Sequence, residues 1–200
     1  SQSGVEPPSF KGGLKMNLTE FARLVTPEER QRRLGQAGRV LWLTGLSGSG
    51  KSTIAFNVER SLIEQGKFAT VLDGDSVRMG LCQGLDFTPE GRQENLRRVA
   101  HVARLLAESG VIVLCAFVSP FGVVRQMVRT IIEPIAFDLV HIDTSLEICE
   151  ARDSKGLYAR ARRGEIPDFT GISSPYERPV DAQLTLDGDQ SVEAMCQQLL

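Results

Sequence analysis

Long apolar runs are missing from this sequence, and so is any strong excess of charge of one sign. No hydrophobic run approaches the roughly 20 residues that a membrane-spanning helix needs. The first residues, Ser1-Gln2-Ser3-Gly4, have neither the charged nor the apolar part of a signal peptide. The net charge is only −2 over 200 residues, which excludes a basic tail for nucleic acid and a polybasic patch for a membrane surface. We therefore expect a cytoplasmic protein that binds neither nucleic acid nor membranes, with any cationic site confined to a small region.

Cysteine is also scarce, and its spacing excludes the common metal and redox motifs. The four cysteines are Cys82, Cys115, Cys149 and Cys196, and none forms a C-x-x-C pair or a metal-ligand spacing. Reduced thiols are the expected state. A chain of 200 residues with 42% hydrophobic content can bury a core without disulfides or a structural metal.

The clearest motif present is the stretch Gly45-Leu46-Ser47-Gly48-Ser49-Gly50-Lys51-Ser52-Thr53, which has the complete spacing G-x-x-x-x-G-K-S. It follows an apolar run at 40–44 that reads as a buried strand, and it precedes a helical pattern at 54–65. Glycines let backbone N–H groups face a phosphate chain, and the following helix adds its positive end. Lys51 is expected to reach the β- and γ-phosphates, and the Ser52 hydroxyl to bind Mg²⁺. The sequence therefore predicts binding of a nucleoside triphosphate, with Mg²⁺ as cofactor.

Apolar runs and helical patterns alternate along the rest of the chain. Strands are predicted at 40–44, 68–72, 111–117, 137–142 and 183–186, and helices at 26–34, 54–65, 88–110, 121–133, 145–152 and 192–199. This alternation predicts an α/β, three-layer domain of the P-loop NTPase type, with a mainly parallel five-stranded sheet and helices on both faces.

Two segments lack such a pattern. Residues 1–25 are predicted to form a flexible N-terminal arm or linker, because they begin with Gly, Pro, Ser and Lys and little apolar content. The domain proper is predicted at 26–200. Within it, residues 153–180 carry several arginines and lysines without a sustained period, which predicts an irregular basic lid.

Polar clusters follow the predicted strands, where open parallel sheets bind their ligands. Asp73 and Asp75 follow the second strand and are candidates for holding water on Mg²⁺ or accepting a proton from an attacking hydroxyl. Arg92 and Asn95 share one face at the start of a helix and suit an anion, and Phe87 suits stacking on a base. The pair Ser119-Pro120 is too common to indicate a site by itself.

The chain resembles the adenylylsulfate kinases (APS kinases) in five sequence blocks that occur in the same order. The blocks are G-L-S-G-S-G-K-S-T, L-D-G-D-S-V-R-M-G-L, F-T-P-E-G-R-Q-E-N-L-R-R-V, A-F-V-S-P and R-D-S-K-G-L-Y-A-R-A-R-R-G-E-I-P-D-F-T-G-I-S-S-P-Y-E. The likeness covers about 26–187. It implies transfer of the γ-phosphoryl of ATP to the 3′-hydroxyl of adenylylsulfate (APS), which gives 3′-phosphoadenylylsulfate (PAPS) and ADP.

The resemblance also implies a role for each matching residue. Catalysis would involve Lys51, Asp73 and Asp75, with Mg²⁺ bound by Ser52 and, through water, by the two aspartates. Arg152 would join the phosphate loop in binding ATP, and Lys155 would lie across both nucleotides. Phe87 and Phe169 would enclose the adenine of APS. The APS-binding residues implied are Arg78, Phe87, Arg92, Asn95, Val118, Ser119, Lys155, Leu157 and Phe169. A homodimer is expected, and family members also occur fused to ATP sulfurylase.

Several positions depart from the family pattern. Ser76 stands where Asn is usual, Met79 where His is usual, Gly84 and Asp86 exchange places, Ala159 replaces a lysine, and Gly122 replaces an arginine. The favoured interpretation is an APS kinase with altered affinity for its acceptor, and two alternatives stay open. One is a non-catalytic domain that senses the nucleotide sulfate for an attached sulfurylase. The other is a related kinase with a different nucleotide acceptor.

Overall fold

The computed structural model describes residues 25–200, so the predicted arm lies outside the described residues except for Val25. Five strands form one sheet in the order β2-β3-β1-β4-β5, and every neighbouring pair is parallel. The strands are β1 (Arg39–Thr44), β2 (Ala69–Asp73), β3 (Ile112–Ala116), β4 (Ala136–Asp143) and β5 (Leu184–Asp187). The predicted five-stranded parallel sheet is confirmed.

Eight helices connect or flank these strands in the described part of the chain. They are α1 (Pro27–Leu34), α2 (Lys51–Glu64), α3 (Gly74–Arg78), α4 (Pro89–Glu108), α5 (Gly122–Ile132), α6 (Leu146–Arg152), α7 (Leu157–Arg162) and α8 (Val192–Gln197). The first begins as its sequence predicts: the Thr26 hydroxyl accepts a hydrogen bond from the N–H of Glu29, whose carboxylate accepts one from the N–H of Thr26.

The alternation of side chains along β1 separates the two halves of the core. Val40 and Trp42 pack with α4 and α5 on one face of the sheet, whereas Leu41 and Leu43 pack with α2 and α8 on the other. Because successive side chains of a strand point to opposite faces, a wholly apolar strand requires cover on both sides. The three-layer arrangement predicted from the sequence is confirmed.

Two short helices were not predicted. Helix α3 directly follows β2, where no element was predicted, and α7 lies inside the segment expected to be irregular. Helix α2 also begins three residues earlier than its apolar pattern, at Lys51, because the phosphate loop leads directly into its first turn. Both missed helices have fewer than seven residues, too few for an apolar period to be visible.

None of the helices between residues 25 and 200 combines the length and the apolar character that crossing a membrane requires. All four cysteines are buried and carry free thiols.

Candidate active site

The phosphate-binding loop lies between β1 and α2, as predicted. A Cβ atom at Gly45 would lie 2.7 Å from the carbonyl oxygen of Ile142, and Gly50 has a φ angle of +103°. A side chain would collide at the first position and strain the backbone at the second. Loop 45–50 can therefore follow this path only with its glycines, which place its N–H groups and the N-terminus of the 14-residue helix α2 around an anion site.

Lys51 is directed back onto this loop. Its Nζ donates to the carbonyl oxygens of Gly45 (3.0 Å) and Leu46 (2.6 Å) and to Oγ of Ser49 (3.3 Å). The residue is only 8% exposed. Burial lowers the pKa of Lys51 to about 8, because loss of hydration disfavours the ammonium form. A phosphate in the loop would favour that form again.

The other predicted ATP-binding residues lie around the same loop. Ser52 and Thr53 are in the first turn of α2. Arg152 ends α6 and donates to the carbonyl oxygens of Gly48 (3.4 Å) and Gly188 (3.3 Å). The structure thus brings Arg152 to the phosphate loop, although it lies 104 positions after Gly48 in the sequence.

Asp73 and Asp75 lie at the carboxyl end of β2. Asp73 is the last residue of that strand and is buried, and its Oδ2 accepts a hydrogen bond of 3.2 Å from the N–H of Asp75. Asp73 is thereby the N-cap of α3, which holds its carboxylate at the edge of the sheet. Asp75 is exposed and forms an ion pair with Lys155 of the lid.

On the predicted acceptor side, Arg78 and Phe87 contact each other. The guanidinium carbon of Arg78 lies 4.0 Å from the centroid of the Phe87 ring, and its Nη1 donates to the carbonyl oxygen of Leu85 at 3.0 Å. Phe87 is 63% exposed. The ring is thus available for stacking on a base, with a cation against one of its faces.

Arg92 and Asn95 lie at the start of α4, as predicted. Arg92 Nε donates to the carbonyl oxygen of Phe87 at 2.7 Å, and its Nη1 lies 3.5 Å from Oγ1 of Thr170 in the lid. Partial burial lowers the pKa of Arg92. Asn95 is only 4% exposed, and its Oδ1 has no hydrogen-bond partner among residues 25–200. An unsatisfied buried acceptor is costly, so Asn95 is a candidate for contact with a ligand donor.

The hydroxyl of Ser119 is turned into the protein. It is 2% exposed with a φ angle of +37°, and its Oγ accepts a hydrogen bond from Nε1 of Trp42 at 3.1 Å. The Ser119 hydroxyl therefore fixes the loop after β3 within the protein. Val118, the partly exposed residue before it, accepts a 2.7 Å bond from Oγ1 of Thr44 through its carbonyl oxygen.

The lid reaches both sides of this crevice. Tyr158, in α7, is buried and donates from its hydroxyl to the carbonyl oxygen of Ser47 at 2.8 Å. Its ring packs edge-on against Phe169, with centroids 5.0 Å apart. Lys155, just before Leu157 and the start of α7, pairs with Asp75 on the opposite side. One segment of chain thus spans from the phosphate loop to the end of β2.

The positive charge of the lid is smaller than its composition suggests. Arg160 and Arg163 both pair with Glu165, and Arg162 pairs with Glu150 through two hydrogen bonds of 2.9 Å. These charges are balanced within the lid and its neighbouring helix. Lys155, by contrast, pairs with Asp75 at the carboxyl end of β2.

Two of the departures from the family pattern, Met79 and Gly122, have a defined setting. Met79 is exposed, and the N–H of Gly122 donates to Oε2 of Glu177 at 2.6 Å. A Cβ atom at Gly122 would lie 3.3 Å from that same oxygen. The carboxylate of Glu177 therefore occupies space beside Gly122.

Three residues that the sequence did not single out join the ends of the strands. Oγ1 of Thr44, at the end of β1, lies 3.0 Å from the hydroxyl of Tyr176. Arg125 of α5 is buried and bonds the carbonyl oxygens of Ser119 and Glu177. One feature of the sequence could have indicated Arg125. It is a charged residue at the helical spacing of the apolar positions 121, 128 and 132, which begin just before α5 and end with its last residue.

Comparison with known proteins places this geometry in a family. The family model described as adenylylsulphate kinase matches residues 37–187. The chain belongs to the adenylylsulphate kinase family. The adenylyl-sulfate kinase of Klebsiella pneumoniae is 52% identical over 184 residues, which cover 92% of each chain. That of Escherichia coli is 50% identical with the same coverage.

A solved structure of this family has the same fold. The APS kinase CysC of Mycobacterium tuberculosis, in complex with AMPPNP and APS, superimposes with a TM-score of 0.80 at 49% identity. The match covers 82% of this chain and 96% of that chain. The resemblance stated from the five sequence blocks is thereby confirmed, and so is the predicted kinase fold.

Proposed function

We propose that this chain transfers the γ-phosphoryl group of ATP to the 3′-hydroxyl of APS, giving PAPS and ADP. Membership of the adenylylsulphate kinase family supports the reaction class. The observation that carries the proposal is the lid, since it touches the phosphate loop through Tyr158 and the carboxylate edge through Lys155. A donor and an acceptor nucleotide bound on those two sides would meet end to end beneath it.

The chemistry assigned to this chain's residues is a single displacement. The 3′-oxygen of APS attacks the γ-phosphorus, and the bond from that phosphorus to the β–γ bridging oxygen breaks. The proton of the hydroxyl passes to the carboxylate of Asp73, and ADP leaves with the electron pair of the broken bond. Lys51 and Lys155 balance the charge of the phosphates, and the lid keeps water away from the γ-phosphoryl group.

The residues present fit Mg²⁺. Among residues 25–200 no group of three or more His, Cys, Asp or Glu side chains could hold a metal by itself. Mg²⁺ is commonly held by a few protein oxygens, water and substrate phosphates, which suits the oxygen donors of one hydroxyl and two carboxylates. Ser52 would bind it directly, with Asp73 and Asp75 acting through water, and it would neutralise charge on the transferred group.

On the acceptor side we assign APS to Arg78, Phe87, Arg92 and Asn95, with Phe169 enclosing the adenine from the lid. The exposed Phe87 ring and the unpaired Oδ1 of Asn95 support this assignment. Val118, Ser119, Lys155 and Leu157 complete the assigned set. A homodimer, association with an ATP sulfurylase and a cytoplasmic location stay predictions.

One assay separates this function from its alternatives. The purified protein is incubated with Mg-ATP and APS, and ADP and PAPS are quantified directly. Equal amounts of both products support the kinase. APS binding without turnover would favour a sensor domain, and ATP consumption only with another nucleotide would favour a different acceptor.

A further inference from the structure

Arg125 is a buried cation that the proposed mechanism does not use. It is 6% exposed, and its Nη1 and Nη2 donate to the carbonyl oxygens of Ser119 (2.8 Å) and Glu177 (2.9 Å). No carboxylate of the described residues forms an ion pair with it, and its Nε has no partner there. Burying a guanidinium group is costly. The Arg125 guanidinium holds together two carbonyl oxygens that lie 58 residues apart in the sequence.

The lid returns to the sheet through residues 171–178, which we term the return segment. The guanidinium carbon of Arg125 lies over the ring of Tyr176 in this segment, 6.0 Å from the ring centroid. The Tyr176 hydroxyl is 3.0 Å from Oγ1 of Thr44. Glu177 donates its N–H to the carbonyl oxygen of Pro120 at 2.9 Å. Arg125, Tyr176 and Glu177 thus connect the return segment to the carboxyl ends of β1 and β3.

On its other side the return segment borders a cavity and contacts β4 at two points. The cavity has a volume of about 560 Å³ and is lined by Ser173, Tyr176 and Arg178 of the segment and by Asp143 and Ser145. The Tyr176 ring stacks on the ring of His141 with centroids 5.8 Å apart, and Arg178 forms an ion pair with Asp143. Close packing ordinarily fixes the position of a loop. Because the cavity limits such packing here, individual polar and ring contacts hold the segment, and Arg125 is one of the groups that join it to the loop after β3.

We propose that Arg125 is a positioning residue that anchors the return segment to the loop after β3. Its planar fork sets the distance between that loop and the lid, and thereby the shape of the APS side of the crevice. The anchoring follows from the contacts alone, whereas the effect on APS rests on the proposed function. Lysine cannot replace the fork, because a single ammonium group does not present two parallel donors.

The variant Arg125→Lys tests this proposal, since it keeps the charge and removes the fork. Hydrogen exchange measured by mass spectrometry should become about tenfold faster in peptides covering 171–178, the loss of one bond to a charged donor being worth that much. In steady-state kinetics the KM for APS should rise about tenfold, and the KM for ATP should change less than about threefold.

The matched control is Arg129→Lys, one turn later on α5. Arg129 also tethers the chain after the lid, through Gln183 Oε1 at 3.3 Å and Asp181 at 3.6 Å, but it does not contact the return segment. Exchange at 171–178 and the KM for APS should stay near wild type in this variant.

A second variant, Tyr176→Phe, tests the same proposal if Arg125→Lys does not fold. It removes only the hydroxyl next to Thr44 and should change the same two measurements in the same direction, by a smaller factor. Unchanged exchange at 171–178 in the variant that folds overturns the anchoring, and faster exchange with an unchanged KM for APS overturns the positioning role. If the wild-type protein makes no PAPS, the proposed function fails while the exchange measurement still decides the anchoring.

Discussion

Lys51 is under two opposing influences at the residue scale. Three oxygen acceptors surround its ammonium group, while burial lowers its pKa to about 8. Neutral Lys51 would contribute little to holding a triphosphate. The charge that the phosphate loop offers to ATP therefore depends on pH in the physiological range.

The first prediction concerns this pH dependence. Because the pKa of Lys51 is lowered to about 8, the free protein loses the lysine charge as pH rises through that value. The kcat/KM for ATP at saturating APS reports groups of the protein that has not yet bound ATP, so it should fall by about tenfold per pH unit above about pH 8. Profiles measured with saturating APS check this. In Lys51→Arg the residue stays charged, and the residual activity should show no such fall; a flat wild-type profile to about pH 9.5 would contradict the assignment.

The second prediction concerns Asp73. Replacing it by Asn keeps the size of the side chain and removes the proton acceptor, so kcat should fall by about 10²- to 10⁴-fold with little change in the KM for ATP. Asp138→Asn is the control, since Asp138 pairs with Arg39 on β1 and lies outside the crevice. It should retain activity within about twofold. Nearly full turnover by Asp73→Asn would remove Asp73 from its role.

Residues with a fixed spacing could be predicted, and residues joined only through space could not. The glycines and Lys51 follow from one local motif whose geometry is the same wherever it occurs. Arg125, Thr44 and Tyr176 meet only after the sheet has formed, because they come from three distant segments. The pairing of the lid arginines with Glu150 and Glu165 also depends on how α7 folds.

At the scale of elements, the lid contains one short helix, α7, within a mostly irregular segment, and its cations have different partners. Lys155 pairs with Asp75, whereas Arg162 pairs with Glu150 on the outer side. A short helix of six residues gave no periodic signal, and its composition suggested a general positive charge. The structure shows that these cations have different partners.

The third prediction uses this difference within the lid. Lys155→Ala should lower kcat/KM for APS by about tenfold or more, because it removes the lid cation that pairs with Asp75 beside the proposed acceptor side. Arg162→Ala should stay within about threefold of wild type, since its charge is already balanced by Glu150. Both variants are compared in the same steady-state assay. Equal losses in the two variants would show that the lid acts through its total charge.

At the scale of the whole molecule, the crevice depends on how closely the helices approach the sheet. A Cβ atom at Gly38, just before β1, would lie 1.9 Å from the carbonyl oxygen of Ala107 at the end of α4. Backbone lies against backbone there, so neither side can yield by a rotamer change. This contact sets the distance between the longest helix and the central strand.

The fourth prediction follows from that contact. Gly38→Ala should destabilise the fold by about 1–3 kcal/mol through overpacking, and lower the melting temperature by at least about 3 °C. Gly80→Ala is the matched control, because no atom lies within 4 Å of a Cβ at Gly80. The melting temperature of Gly80→Ala should be close to that of the wild-type protein. Equal melting temperatures for the two variants would contradict the close approach.

The central claim is that one crevice holds two nucleotides end to end, so that the 3′-hydroxyl of one reaches the γ-phosphorus of the other. Phosphorus NMR of the products tests it most directly, since it identifies both the new phosphate ester and the bond that is retained. From Mg-ATP and APS we expect ADP together with a 3′-phosphomonoester whose phosphosulfate group is intact. Release of free phosphate, or a spectrum in which APS is unchanged while ATP is consumed, would contradict the claim.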